Sequence, residues 1–244
     1  MTKTRLDQIV VERGLAATRS RAQALILAGE VLVEDTRIDK AGTLVSSEAR
    51  VTLRGEPMPY VSRGGVKLAG ALDAFRVDPS GKRCLDVGAS TGGFTDCLLQ
   101  RGAAEVVAVD VGYGQLAHKL RTDPRVLVLE RTNARSLTPD LVHGAVDLVV
   151  VDASFIGLEK LVHAIHTCTR EGGELVALIK PQFEVGRAEA SRAKGVIRDE
   201  KVREGAIRGV LRGVTDAGFV VIAHTDSVLP GPKGNREAFV HARR

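Results

Sequence analysis

Two lysines and two acidic residues occupy positions at which α/β proteins place reacting groups. Asp152 follows an apolar run of strand length, and Lys180 ends the next such run. Glu237 begins the last strand-like segment. Lys67 lies in a helical segment that comes before the strands of the same region. The carboxyl ends of parallel strands meet at one edge of a sheet, and an antiparallel final strand would begin there. We therefore expect Asp152, Lys180 and Glu237 to converge at that edge.

This set of side chains suits alkyl transfer to a poorly acidic hydroxyl group. Such a lysine can stabilise a developing alkoxide or take its proton, and the sequence leaves both roles open. Taken singly, each residue also has a purely structural explanation. Lys180 can bury its aliphatic stem at a strand end while its charged group reaches solvent, and Asp152 can be the N-cap of the following helix. No cysteine nucleophile and no Asn-Pro-Pro-Tyr motif stands in these segments, so methylation of base carbons or of amines is disfavoured.

A glycine-rich turn joins a strand to a helix in the segment Leu85-Asp-Val-Gly-Ala-Ser-Thr-Gly-Gly-Phe-Thr-Asp. Its G-x-x-x-G-G spacing is not the G-x-G-x-x-G of pyrophosphate binding, and no lysine follows as in a P-loop. Asp110 ends the next strand, 22 residues after Gly88, where a carboxylate can hold both ribose hydroxyls of a nucleoside. Asn133 follows the third strand, where its amide can face an adenine edge.

These features predict S-adenosylmethionine as the cofactor. It is preferred over NAD because Asp86 precedes the turn and because the chain ends in a hairpin. The alternative, a tight turn beside a solvated aspartate, does not account for the order and spacing of the elements. The predicted cofactor contacts are Asp86, Gly88, Ala89, Ser90, Gly92, Gly93, Asp110, Asn133 and Asp152.

Strand-like and helical runs alternate from Lys82 onward, which predicts a doubly wound, mainly parallel sheet. The strand-like runs are Arg83–Val87, Glu105–Asp110, Arg125–Glu130, Val146–Asp152, Glu174–Lys180, Phe219–Thr225 and Glu237–His241. Only about ten residues join the last two runs, whereas a parallel crossover needs a dozen or more. We therefore expect six parallel strands and one antiparallel last strand, the Rossmann-like α/β sheet of class I methyltransferases.

The first 53 residues predict a separate small α+β unit. Two helices, within Arg5–Gly14 and Thr18–Gly29, precede the short strands Val31–Glu34, Thr36–Ile38 and Arg50–Leu53. Thr18 is a candidate N-cap. Two prolines and a glycine in residues 54–59 indicate a linker. The predicted domains are therefore 1–53 and 60–244.

Composition narrows the class of protein further. The net charge is +5, with basic residues concentrated in segments 1–29 and 180–212, which weakly favours a polyanionic partner. Aromatic residues make up only 3%, so an aromatic surface for base stacking is disfavoured. The three cysteines have no metal or disulfide spacing, so no metal is expected. No run approaches membrane-spanning length and no apolar signal region is present, so we expect a cytoplasmic protein without membrane contact.

Several motifs together resemble one family. They are Ser62-Arg-Gly-Gly-Val-Lys-Leu, the glycine-rich turn, Ala108-Val-Asp-Val-Gly-Tyr-Gly-Gln-Leu, Glu130-Arg-Thr-Asn, Val151-Asp-Ala-Ser-Phe-Ile, Ile179-Lys-Pro-Gln-Phe-Glu and Gly234-Asn-Arg-Glu. In this order they resemble the TlyA family of ribosomal RNA 2′-O-methyltransferases, often labelled haemolysin A, whose methyltransferase domain is FtsJ-like. Residues 4–53 resemble the small RNA-binding domain named after ribosomal protein S-four.

The resemblance implies a Lys-Asp-Lys-Glu catalytic tetrad formed by Lys67, Asp152, Lys180 and Glu237. It also implies that the substrates are ribose 2′-hydroxyls of small- and large-subunit ribosomal RNA. The predicted RNA contacts are Arg5, Arg19, Arg21, Lys40 and Arg63. The tail after Glu237 is short, which leaves little room for a C-terminal helix.

Two other functions remain as alternatives at this point. One is a non-catalytic RNA-binding or ribosome assembly factor on a methyltransferase fold, against which the intact tetrad argues. The other is a membrane-active haemolysin, for which no membrane-inserting segment is visible. The target nucleotide, the choice of ribosomal subunit and the oligomeric state do not follow from the sequence.

Overall fold

The computed structural model describes residues 3–54, 58–186, 193, 195–231 and 233–244. The chain divides into two compact units, Met1–Met58 and Pro59–Arg244. Parts of three predicted features lie outside the described residues: 55–57 of the linker, Arg187, Arg192 and Lys194 of the basic segment, and Pro232 of the last connection. No helix in the described ranges is long and apolar enough to cross a bilayer.

The described residues of the first unit form two short helices and five short strands. Its elements are β1 (Lys3–Arg5), α1 (Leu6–Glu12), α2 (Arg19–Leu27), β2 (Val31–Val33), β3 (Thr36–Arg37), β4 (Leu44–Ser46) and β5 (Val51–Leu53). β1 pairs with β4, and the other three strands form a sheet in the order β3-β2-β5. As predicted, the hydroxyl of Thr18 caps α2 by accepting from the backbone N–H of Arg21 at 3.2 Å. β1 and β4 were not predicted.

The second unit contains one seven-stranded sheet. Its strands are β6 (Arg83–Val87), β7 (Glu105–Val109), β8 (Val126–Leu129), β9 (Val146–Val151), β10 (Thr169–Ile179), β11 (Val220–Asp226) and β12 (Ala238–Arg243). They lie in the order β11-β12-β10-β9-β6-β7-β8. β12 is antiparallel to both of its neighbours, and the other adjacent pairs are parallel. This confirms the predicted seven-stranded sheet with a reversed last strand, although β10 begins five residues earlier than expected.

Helices cover both faces of this sheet. Those in the described residues are α3 (Arg63–Phe75), α4 (Gly93–Gln100), α5 (His118–Arg121), α6 (Val162–Cys168), α7 (Pro181–Glu184) and α8 (Glu200–Asp216). Because successive strand residues point to opposite faces, Val150 packs with α3 and α4 while Val149 packs with α6 and α8. Burial on both faces explains why the central strands are continuous apolar runs.

The element ends position the candidate groups. Asp152 follows the last residue of β9, Lys180 follows β10, and Glu237 precedes β12. All three therefore stand at the carboxyl edge of the parallel strands. Lys67 lies on α3, on the face that also buries Leu68 and Leu72.

Candidate active site

The glycine-rich turn brings the backbone close to the end of β9. The N–H groups of Gly88 and Ala89 donate to the carbonyl of Val109 at 2.9 and 3.1 Å. Gly88 has φ +87°, and a Cβ atom there would lie 2.8 Å from the carbonyl oxygen of Asp152. Only glycine tolerates both the positive φ and the lack of space for a Cβ atom. The backbone of the turn is therefore not covered by a side chain at Gly88, and a ligand can approach it closely.

Asp110 and Asn133 face one cavity beside this turn. The carboxylate of Asp110 accepts from the backbone N–H of Ser90 at 2.8 Å and from that of Gly112 at 2.7 Å. The side chain of Asn133 accepts from the backbone N–H of Arg135 at 3.1 Å. The cavity has a volume of about 360 Å³, and its wall includes Gly88, Ser90, Asp110, Asn133 and Asp152. The structure therefore brings these predicted cofactor residues together.

Asp86 and Gly92 differ from the other predicted cofactor residues, because neither is among the described residues that line this cavity or the larger one next to it. Asp86 is fully buried beneath the turn. One carboxylate oxygen accepts from the hydroxyl of Thr95 at 2.6 Å, and the other has no partner among the described residues. Burial raises the pKa of Asp86 to about 7.

The larger cavity, of about 850 Å³, contains all four predicted catalytic residues in its wall. It shares Gly88, Ser90 and Asp152 with the smaller cavity, and Ala89 and Gly93 of the turn also line it. The two cavities are therefore adjoining parts of one crevice above the sheet edge.

Within this wall the four catalytic candidates form two ion pairs. Lys180 Nζ lies 2.5 Å from Asp152 Oδ1, and Lys67 Nζ lies 2.5 Å from Glu237 Oε2. Both lysines and Glu237 are buried. Glu237 lies at the edge predicted from the sequence, where its ion-pair partner is Lys67 and that of Lys180 is Asp152. Two buried lysines held by carboxylates can stabilise negative charge on a substrate oxygen.

Several cavity residues were not anticipated from the sequence. The hydroxyl of Ser154 accepts a hydrogen bond from Lys180 at 2.7 Å. Asn235 is buried, and its amide contacts the backbone of Gly195 and Ile197. Ser154 could have been predicted from its position two residues after Asp152. Asn235 could not, because its contacts join residues that lie about 40 positions apart in the sequence.

The predicted RNA contacts are distributed over both units. In the first unit Arg21 and Lys40 are exposed, while Arg5 and Arg19 both bind the buried carboxylate of Asp7. In the second unit Arg63 is exposed and borders the larger cavity, where it donates to the carbonyl of Pro230 at 3.1 Å. Arg5 and Arg19 are thus partly engaged within the protein.

The sheet order and the glycine-rich turn at its edge define the class I methyltransferase fold. Comparison with family models matches residues 60–244 to the FtsJ-like methyltransferase family and residues 4–51 to the S4 domain. The 16S/23S rRNA (cytidine-2′-O)-methyltransferase TlyA of Mycobacterium tuberculosis is 48% identical over 242 residues, 99% of this chain and 90% of that protein. The chain therefore belongs to the FtsJ-like methyltransferases of the TlyA family, as its motifs indicated.

Solved structures agree with this assignment. A protein of Streptococcus thermophilus, provisionally named a hemolysin, is 39% identical with a TM-score of 0.78, covering 100% of this chain and 89% of its own. An S-adenosylmethionine-dependent methyltransferase from Mesorhizobium loti, 18% identical, shares the fold with a TM-score of 0.51 over 72% of this chain and 96% of its own.

Proposed function

We propose that this protein transfers a methyl group from S-adenosylmethionine to a ribose 2′-hydroxyl of ribosomal RNA. The observation that carries the proposal is the pairing of two buried lysines with carboxylates in the cavity beside the glycine-rich turn. The M. tuberculosis relative is named for 2′-O-methylation of cytidine in ribosomal RNA. A ribosomal RNA substrate implies action in the cytoplasm.

The smaller cavity suits the nucleoside part of the cofactor. Each oxygen of Asp110 accepts one backbone N–H, so lone pairs remain for ribose hydroxyls. Asn133 offers its amide to the adenine edge, and the open backbone at Gly88 allows close approach. Asp86 lies beneath the turn and outside the described residues that line either cavity, so its contact with the cofactor stays a prediction from the sequence. When bound, S-adenosylmethionine supplies a methyl group on a positively charged sulfur.

In the larger cavity Lys180 is the group that we assign to the target hydroxyl. Methyl transfer is an in-line displacement, so holding the oxygen in line contributes much of the rate. Asp152 fixes Lys180, and the pair of Lys67 and Glu237 holds the ribose or its phosphate. As a cation Lys180 stabilises the charge that develops on the oxygen, and as a neutral base it accepts the proton. Both roles are compatible with the proposal.

The first unit supplies RNA affinity in this proposal and takes no part in the chemistry. Its predicted extent is residues 1–53, followed by a linker at 54–59 and a methyltransferase domain at 60–244. Arg5, Arg19, Arg21 and Lys40 contact phosphates, and Arg63 does so beside the larger cavity. The match to the S4 domain and the exposure of Arg19, Arg21, Lys40 and Arg63 support this assignment.

Incubation with ribosomal subunits and methyl-labelled S-adenosylmethionine tests the function. We expect label in ribosomal RNA at linkages that resist alkali, because a methylated 2′-oxygen cannot attack the adjacent phosphodiester. Binding of subunits without label would favour the non-catalytic assembly factor. Lysis of erythrocytes without either result would favour the haemolysin.

A further inference from the structure

Polar contacts join two segments at the carboxyl edge of the sheet at two points, and the rings of Phe155 and Phe183, with centroids 5.2 Å apart, add an apolar contact between them. One is 152–158, which follows β9, and the other is 180–184, which follows β10. The first point is Lys180, which contacts Asp152 at 2.5 Å and donates to the hydroxyl of Ser154 at 2.7 Å. The hydroxyl therefore gives the side-chain nitrogen of Lys180 a second fixed neighbour.

Glu184 makes the second point of contact. It ends α7, four residues after Lys180, and its Oε1 accepts from the backbone N–H of Leu158 at 3.0 Å. A Cβ atom on Gly157 would lie 3.0 Å from the other carboxylate oxygen. Glycine therefore leaves the space that the carboxylate occupies, and the segment is shaped around Glu184.

Between these two points the backbone is strained at Phe155. Its φ is +65°, in the left-handed region that a bulky residue rarely adopts. Such a conformation persists only where the surroundings hold it. The side chain is 91% exposed, so burial of the ring does not explain it. The hydrogen bonds of Ser154 and Leu158 fix the backbone on either side, and the ring of Phe155 also contacts that of Phe183.

The surroundings of Glu184 are unfavourable for a charge. Burial raises the pKa of its carboxyl to about 7, the charge of Glu159 acts in the same direction, and the hydrogen bond from Leu158 opposes both. Partial burial of a carboxylate costs free energy unless hydrogen bonds compensate. The hydrogen bond with Leu158 offsets part of this cost. A function of that hydrogen bond therefore explains why a carboxylate stands at position 184.

We propose that Glu184 is a positioning residue for methyl transfer, which holds the backbone of 155–158 so that Ser154 fixes the nitrogen of Lys180. Glu184 is absent from the described residues that line either cavity, so it acts through Ser154 and not on the substrate. This inference rests on the proposed function of the same site.

Single-turnover methylation of ribosomal subunits by the full chain tests the proposal. Glu184→Gln keeps an oxygen that accepts from Leu158, so its rate should stay within about twofold of wild type. Glu184→Ala should lower the maximal rate about tenfold and leave KM and cofactor affinity nearly unchanged, because only positioning is lost. In a Ser154→Ala background, which is itself slow, Glu184→Ala should cause little further loss, because residues that act through one another are not additive.

Glu204→Ala is the control, since this exposed carboxylate of α8 pairs with Arg208 at the surface. Its rate should equal that of wild type. Full additivity of the Glu184 and Ser154 losses, or a Glu184→Gln rate as low as that of Glu184→Ala, would overturn the proposal. If Glu184→Ala does not fold, Glu184→Asp takes its place in the same comparisons, because the shorter side chain withdraws the carboxylate from the N–H of Leu158. Wild-type protein that fails to label ribosomal RNA would instead contradict the proposed function.

Discussion

Lys180 is the residue on which the proposed chemistry depends most directly. Replacing it with alanine removes a buried amino group that contacts Asp152 and Ser154. We expect methyl transfer to fall by about 10²–10³-fold, as is typical for one preorganised charge, while the fold and cofactor affinity change little. Single-turnover labelling of ribosomal RNA measures this. Lys82→Ala, which removes a lysine paired with Glu174 at the other end of the strands, should retain the normal rate. A Lys180→Ala protein with normal activity would remove this lysine from the mechanism.

Asp110 tests the cofactor half of the crevice. Asp110→Ala removes charged hydrogen bonds to the ribose, which should weaken binding of S-adenosylmethionine by about 1.5–3 kcal/mol. Isothermal titration calorimetry measures this affinity. The control is Asp123→Ala, because Asp123 also stands near a strand end but pairs with Arg125 at the surface. Equal affinity of wild type and Asp110→Ala would reject the cofactor assignment.

Asp86 makes stability depend on pH in a defined direction. Its pKa is about 7 in the folded protein and about 3.9 in an unfolded chain. The folded state therefore binds this proton more tightly, and the stability that it contributes is complete below about pH 4 and lost as pH rises through 7. Asp86→Asn should flatten the decline in the free energy of unfolding between pH 4 and 8 by an amount on the order of a few kcal/mol.

Denaturant unfolding at several pH values checks this prediction. Glu184 also has a raised pKa and adds a decline of the same sign, so Glu184→Gln is the companion variant. In Glu184→Gln the free energy of unfolding should still fall with pH by the amount that Asp86 contributes. Identical pH profiles for wild type and Asp86→Asn would show that Asp86 is not protonated in the folded state near neutral pH.

At the scale of elements, the strands of the second unit were predictable because most of them contain an apolar run of strand length between helical segments. The run in β9 is broken only by Asp147, and both faces of the strand are covered by helices. β1 and β4 have three residues each, and β1 carries Lys3 and Arg5. So short a charged segment has no alternation to detect, and its pairing with β4 depends on contacts about 40 residues apart.

The pairing of the catalytic candidates was less predictable than their location. Strand ends placed three of them at one edge, but the partner of Glu237 depends on where β12 inserts in the sheet. β12 lies between β10 and β11, and the side chain of Glu237 reaches Lys67, which is 170 residues away in the chain. Sequence spacing carries no information on such a contact.

Asp7 of α1 permits a test in which two physical effects have opposite signs. Its buried carboxylate accepts from Arg5, Arg19 and Gln23 at 2.9–3.0 Å, and the hydrogen bonds from Arg5 contribute most to lowering its pKa. Asp7→Asn makes the unit more positive, which by long-range electrostatics alone would strengthen RNA binding. We expect weaker binding, because the two guanidinium groups lose their common anchor.

Filter binding of ribosomal RNA fragments measures this effect, with thermal unfolding as a check that the first unit remains folded. Glu12→Gln removes an exposed carboxylate from the same helix and reports the electrostatic effect alone, so it should bind slightly more tightly. A folded Asp7→Asn protein that also binds more tightly would show that Asp7 does not organise the two arginines for RNA.

At the scale of the whole molecule, the proposal assigns RNA affinity to one unit and chemistry to the other. Deleting residues 1–53 should weaken binding to ribosomal subunits and leave affinity for S-adenosylmethionine intact, because the predicted cofactor residues all lie in the second unit. Replacing the exposed Arg21 and Lys40 with glutamine leaves Arg5 and Arg19 to hold the buried carboxylate of Asp7 and removes two charges. If each contacts a phosphate, the slope of log affinity against log salt should become shallower by roughly 1.5. Subunit affinity and a salt slope that match wild type in both variants would exclude this unit as the source of RNA affinity.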